Sequence, residues 1–541
     1  MFLFIWILAS IISFPVRSEI VCINQGCING TILHSRNGYS FYAFFGIPYA
    51  ASPTELLRFQ PPSKPPSWLN IRQAVEKPPV CLQYVHSVPG YRKSHYIGSE
   101  DCLYVNVFTK EIYPQKLLPV LVYIHGGAFR TGNGITNGPH LFMDKSIVFV
   151  SFNHRLGVFG YLSSGDEILP GNYGLKDQVM ALKWIQENIS VFGGDPKSVT
   201  ILGHNSGAAS VHLHATSPLS KGLFHKMIMQ SGNAIKYLKQ NSTTKAKKYF
   251  LEALTQVNCF KNTSEERLLC LRNISGDYLN IKLNAFLPNN PLQIKYEPVI
   301  ENSNVRNAFF VGDQFQDLSI PVIIGFNSAE GLNEAINHFR NYENKSLTEL
   351  NQEFDKELSM MLDSVSMKPE SLLNATAVIK KFYFKNALVT KGQEKNVCDL
   401  IGDIFRSIRT IDTILKYPGK KYFYIYDYKN TRTPIRELFN ITNNLDISGA
   451  AHGDEIVSLF STSVTDKLTA VDRKLSENLI KYWVNFMYTG NPNKNEVVVA
   501  EWKPVSTNSL EYLHIAQEQF TMKTKPIETR YKFWKSLSLD L

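Results

Sequence analysis

Past Phe14 the chain has no apolar run of the roughly 20 residues that cross a bilayer. Its polar C-terminus has no tail of the kind exchanged for a lipid anchor. Both absences argue against a membrane-spanning or lipid-anchored protein. Internal repeats and low-complexity linkers are also lacking, which argues against a solenoid or a string of modules. Cysteine is scarce, at 7 in 541 residues, and the odd count leaves at least one thiol unpaired. Charge of one sign does not dominate: 57 basic residues stand against 47 acidic, a net +10. No nucleic-acid-binding or metal-ligating pattern is present.

What remains is ordinary globular composition, 44% hydrophobic and 19% charged. At this length one long α/β domain is expected. Met1–Phe14 is almost wholly apolar and is followed by Pro15-Val16-Arg17-Ser18. Residues 1–18 therefore read as a signal peptide cleaved after Ser18, with a secreted, extracellular domain over 19–541. Basic residues gather at Lys245–Lys248, Lys420–Lys421 and Lys523–Lys535. The plain expectation for them is a solvated surface, and the partner they would suit is an acidic polysaccharide. Asn-x-Ser/Thr sequons at Asn29, Asn241, Asn262, Asn273, Asn344, Asn374 and Asn440 are expected to carry sugar in a secreted chain. Asn188 is the weakest such site, because it falls in an expected helix over Tyr173–Ile189.

The chain is organised around Phe192–Val211. Val199–Leu202 is a short, mostly apolar and β-branched run, which predicts a buried strand. Gly203 is expected to end it, and Gly207-Ala208-Ala209 to open a helix of small residues. Strand, sharp turn and small-residue helix make a nucleophile elbow, which exposes one side chain above the sheet. The residue at the tip is Asn205. Leu118–Ile124 and Ile147–Asn153 read as further buried strands. Their alternation with helices predicts a mostly parallel sheet covered on both faces.

Phe192-Gly193-Gly194-Asp195-Pro196, then Val199-Thr200, then Gly203-His204-Asn205-Ser206-Gly207-Ala208-Ala209-Ser210 resemble F-G-G-D-P, V-T and G-E-S-A-G-G-A-S. That pattern belongs to the type B carboxylesterase and cholinesterase-like family of the α/β-hydrolase fold. The likeness continues in Gly46-Ile47-Pro48-Tyr49-Ala50 and Leu57-Arg58-Phe59, and in Ser99–Val107, His125–Phe129, Gly325–Gly331 and Gly449–Glu455. It spans about Gly26 to Trp534 as one domain. It implies helical insertions over the pocket within Lys239–Gly392. It places Glu330 as the acid and His452 as the base of a triad, with oxyanion donors from Gly126, Gly127, Ala128 and Ser206. Ala128 stands where the family has a third glycine, at an expected cost in conformational freedom only. The resemblance also implies Cys81–Cys102 and Cys259–Cys270 disulfides and a structural Arg58–Glu100 pair. It implies no cofactor and no metal. A Cys22–Cys27 bridge is open, with Cys398 then free.

Asn205 stands at the family's nucleophile position, and the flanking spacing leaves no gap that would restore a serine. A carboxamide has no proton for a histidine to take and does not attack esters. The leading expectation is a secreted esterase-like protein without hydrolase activity that binds a ligand or a protein. Family members without the serine do serve in binding and adhesion. The ligand expected is a small apolar ester or carbonyl compound. One alternative is an active ester hydrolase using Ser206 or an unorthodox nucleophile. Another is a structural secreted glycoprotein. The Cys81–Cys102 loop has no tryptophan, and Tyr91 and Tyr96 are its only late aromatics, so a choline ester is not the expected ligand.

Overall fold

The computed structural model describes residues 19–85, 95–238, 241–284, 294–312, 319–341, 345–363, 369–385, 388–433, 437, 448–506, 509–517 and 519–537. The expected signal peptide, Tyr91, Asn344 and Asn440 lie outside the described residues.

An 11-stranded sheet is the centre of the fold. Across it run Phe520–Lys523, Tyr512–Ile515, Lys421–Tyr426, Val322–Asn327, Lys226–Gln230, Gly194–His204, Leu118–Ile124, Val148–Phe152, Tyr104–Thr109, Ser40–Pro48 and Thr31–His34. From Tyr512–Ile515 to Val148–Phe152 every ladder is parallel, and the antiparallel pairings are confined to the two ends. Val148–Phe152 and Val322–Asn327 are buried along their whole length. Strands covered on both faces read in this way, as continuous apolar runs.

Successive strand side chains point to opposite faces, and the two faces feed two cores. Val120, Val122 and Ile201 pack on one side with Ala181 and Ile185 of the helix Tyr173–Asn188, and with Ala208 and Val211 of the helix Ser206–Thr216. Leu121, Tyr123 and Leu202 pack on the other with Leu479, Trp483 and Phe486 of the helix Ala470–Thr489. The region expected to carry helical insertions contains Asn241–Gln256, Ser264–Arg272, Gly276–Leu283, Leu332–Asn341, Leu347–Asp363 and Pro369–Phe384.

The strand Gly194–His204 corrects one expectation. Gly203 does not end it; it pairs with Ile124 on one side and Met229 on the other. Its role is close approach, since a Cβ there would sit 2.2 Å from the backbone of Gly207. The missing side chain lets the elbow helix fold back against its own strand.

Cys81–Cys102 and Cys259–Cys270 are disulfide-bonded, and so are Cys22 and Cys27. Cys398 is free and buried, and burial pushes its thiol up to about 12, so it is not a reactive thiolate. Arg58 donates to both oxygens of Glu100, at 2.6 and 2.7 Å, and also to the carbonyls of Leu271 and Arg272. The pair thus ties the Cys81–Cys102 loop to the insertion. Asn188 is buried and donates to the Trp184 carbonyl, which removes it as a sugar acceptor, whereas Asn262, Asn273 and Asn374 are exposed. Among the described residues no helix is long and apolar enough to cross a membrane.

Candidate active site

Three chain segments far apart in sequence meet at the end of the parallel strands. The first is the elbow. Asn205 sits between strand and helix with φ 56° and ψ −120°. Its N–H donates to Gln230 O at 2.9 Å, and its carbonyl accepts from Ala209 N at 3.1 Å. With ψ −120° the backbone lies outside the left-handed helical well that asparagine tolerates, so the fold holds the tip residue in a strained conformation.

The second segment follows Val322–Asn327, and the third begins at Gly449. A parallel bridge between Ala329 and Ala451 joins them. Ala329 N donates to Ala450 O at 2.9 Å, and Asn327 Nδ2 donates to Ala451 O at 2.6 Å. The residues following that bridge are Glu330 and His452. His452 Nδ1 lies 2.7 Å from Glu330 Oε2.

On its other side the His452 ring meets Asn205, with Nδ2 2.8 Å from Nε2. An amide nitrogen can only donate, so Nε2 accepts and the ring proton sits on Nδ1, where it is donated to Glu330. The amide oxygen is spoken for as well, because Ala128 N donates to Asn205 Oδ1 at 3.3 Å. Turning the carboxamide over would set its NH2 against the Ala128 N–H, so this orientation alone pairs every donor with an acceptor.

Glu330 is almost fully buried. Burial by itself raises its pKa. The interaction with His452 and its hydrogen bond outweigh that, with Arg406 and the Asn327 N–H, and hold the carboxyl down to about 2. Asn327 N donates to Oε1 at 2.8 Å. Arg406 places Nε 3.5 Å from Oε2, and donates to the Glu330 carbonyl at 2.9 Å and to Glu334 at 3.1 Å.

His204, just before the tip, lies against His452 with ring centroids 4.7 Å apart. Burial, then His452, lowers its pKa well below the usual imidazole range. Its Nε2 stands 3.6 Å from Glu455 Oε1. Burial, then the Glu330 charge, pushes Glu455 up to about 8. The donors that reach Glu455 are neutral, from Asn327 Nδ2 at 2.5 Å and Ser231 Oγ at 3.3 Å.

The loop after Leu118–Ile124 closes the site. Gly126 has no room for a side chain, since a Cβ would lie 2.5 Å from His204 O and 3.0 Å from Asn205 Cβ. Gly127 has φ 123°. Ala128 has φ 57°, so its methyl group brings left-handed strain of about 1–2 kcal/mol as well as the expected loss of freedom. Burial lowers His125 to about 3 and His154 to about 4, so both rings are neutral. They stack at 4.4 Å, and His125 Nδ1 donates to Gly126 O at 3.0 Å, which braces the loop. Ser206 is buried, and its Oγ accepts from Phe129 N at 3.2 Å.

The structure thus gathers Asn205, Glu330, His452, Gly126, Gly127, Ala128 and Ser206 into one place. Arg406 and the Asn327–Glu455 bond had no sequence signal. Glu455 was visible only as the last letter of the Gly449–Glu455 motif, with no role assigned. Among the described residues no group of three or more His, Cys, Asp or Glu side chains is arranged to hold a metal ion.

Known proteins match nearly the whole chain. The model of the carboxylesterase family matches residues 17–534. Esterase FE4 of Myzus persicae is 34% identical, with 96% of this chain and 94% of that protein covered. Juvenile hormone esterase of Tribolium castaneum is 31% identical, with 99% and 96% covered. The crystal structure of juvenile hormone esterase from Manduca sexta, with OTFP covalently attached, superimposes with a TM-score of 0.82 at 25% identity, covering 96% of this chain and 99% of that one. The chain belongs to the carboxylesterase family and has its α/β-hydrolase fold.

Proposed function

We propose that this is an extracellular carboxylesterase-family protein, a single domain over 19–541 behind a cleaved leader, that does not hydrolyse esters and acts in binding. The observation that carries the reading is the Asn205 carboxamide. It blocks the His452 lone pair at 2.8 Å and engages the Ala128 N–H at 3.3 Å. A triad without its nucleophile loses on the order of a million-fold in rate. The three disulfides suit an oxidising compartment. Asn29, Asn241, Asn262, Asn273, Asn344, Asn374 and Asn440 are the proposed sugar acceptors. The proposed ligand is a small apolar ester or carbonyl compound, whose oxygen would have to displace Asn205 Oδ1 from Ala128.

Hydrolysis through Ser206 is disfavoured by its hydroxyl, which is turned to Phe129 N. The test compares the wild type, Asn205→Ser and Ser206→Ala on an aryl acetate, with organophosphate labelling read by mass spectrometry. The wild type is expected to stay at background and unlabelled. Asn205→Ser is expected to hydrolyse the ester at least about 100-fold above background, since only the attacking oxygen is missing. A wild type that is active and is silenced by Ser206→Ala would overturn the reading.

A further inference from the structure

The backbone angles of Asn205 have a chemical meaning of their own. Substituents on Cα are about 120° apart, so a ψ near −120° eclipses Cβ with the nitrogen of the next residue. Asn205 has ψ −120°. Its Cβ and the Ser206 nitrogen therefore lie on the same side of the Cα–C bond. That is the backbone torsion required by a five-membered ring made of Cγ, Cβ, Cα, C and the Ser206 nitrogen; rotation about Cα–Cβ then brings Cγ to that nitrogen. Helices and strands hold ψ near −42° or +135°, so an asparagine there must first unfold locally to close such a ring. The fold itself keeps the Asn205 backbone at the ring-closing torsion, through its bonds to Gln230 and Ala209.

The surroundings favour closure. Ser206 is the first residue of its helix, so its N–H lacks an intrahelical acceptor. The Ala128 N–H at 3.3 Å polarises the carboxamide carbonyl at Oδ1. The leaving nitrogen, Nδ2, rests 2.8 Å from His452 Nε2, a group able to relay a proton to it. Asn205 is only half-buried, so water reaches it.

We propose that the folded protein converts its own Asn205 to aspartate through a cyclic imide closed by the Ser206 backbone nitrogen. The Ser206 N–Cγ bond forms and the Cγ–Nδ2 bond breaks. The Ser206 amide proton passes through His452 Nε2 to the departing nitrogen, which leaves as ammonia. One water then opens the imide. Cleavage at Cγ gives an aspartyl residue at the tip with the elbow intact, and cleavage at the backbone carbonyl gives the isoaspartyl form. The net change is addition of water and loss of ammonia, with no oxidant or reductant. The aspartyl product puts a carboxylate, one of the groups that serve as covalent nucleophiles, against His452. The inference rests on the geometry of Asn205 and stands apart from whether the unmodified protein hydrolyses esters.

The test incubates the full-length protein at neutral pH in 18O-water, folded in one arm and unfolded in urea in the other. Peptides containing Asn205 are then read by mass spectrometry. The expected result is conversion at least about 10-fold faster in the folded arm, with one 18O incorporated and isoaspartate beside aspartate. His452→Gln is expected to slow the folded arm to the unfolded rate. An Asn205 that outlasts its unfolded counterpart would overturn the proposal, as would conversion that gives aspartate alone with no imide trapped by hydroxylamine. The comparison of the two wild-type arms needs no variant to fold.

Discussion

Asn205 stands between two imidazole–carboxyl pairs that look alike on paper and are opposites in the molecule. His452 and Glu330 meet at 2.7 Å, and Glu330 is held down to about 2. His204 and Glu455 stand 3.6 Å apart, and Glu455 is pushed up to about 8. Both carboxyls are almost fully buried, so burial does not separate them. Partners do. Glu330 has Arg406, the His452 Nδ1–H and a backbone N–H aimed at it. Glu455 has neutral donors and feels the charge of Glu330. Two buried carboxylates this close do not both ionise readily, and the one with the cation keeps the charge. One pair therefore holds a charged carboxylate, and in the other the carboxyl is neutral.

Removing the cation should break this difference most severely. Arg406→Met leaves Glu330 and Glu334 without their shared guanidinium. The expected loss is about 3–5 kcal/mol in urea unfolding at pH 7, the cost of stranding a buried charge. A change below about 1 kcal/mol would mean that Arg406 does not hold Glu330 in its charged form.

The neutral pair is addressed from the alkaline side. Glu455 keeps a proton in the fold that the unfolded chain loses near its ordinary pKa of about 4.3. The folded state binds more protons across that window, so stability falls as pH rises from about 4.3 towards about 8. Glu455→Gln removes the term. It is expected to be about 2–4 kcal/mol more stable than wild type at pH 8, with no gain at pH 4, by the same unfolding assay. Equal effects at both pH values would mean that Glu455 is ionised in the fold.

The charged carboxylate shows itself on the acid side. The folded pKa of Glu330 lies below its unfolded value, so its contribution is present above about 4.3 and is lost as pH falls towards about 2. Wild type is expected to lose about 2–3 kcal/mol more than Glu330→Gln between pH 5 and pH 2. Parallel acid limbs would show that Glu330 contributes no charge-dependent stability.

Much of this site was legible in the chain. The strand expected over Leu118–Ile124 has those very ends, because an apolar run that opens on Leu118-Pro119 and stops at His125-Gly126-Gly127 leaves little choice. The helix expected over Tyr173–Ile189 ends at Asn188, one residue early, where a short 3-10 turn takes over. Gly203 misled, because a glycine inside a strand reads as a stop while its reason, the 2.2 Å approach of Gly207, is a contact across the turn. Arg406 was invisible, since nothing local marks which of 57 basic residues will end beside a buried carboxylate.

The sequence by itself determined the elements, the elbow with Asn205 at its tip and the carboxylesterase-family likeness, because these depend on local pattern and spacing. Tertiary structure alone decided what Asn205 does with its two polar atoms, which buried glutamate keeps its charge, and that ψ at the tip eclipses Cβ with the Ser206 nitrogen. Those facts arise where strand ends separated by more than a hundred residues meet at the Ala329–Ala451 bridge and the Asn205–His452 bond. Burial there makes every partner count, because little water remains to screen a charge or replace a missing hydrogen bond.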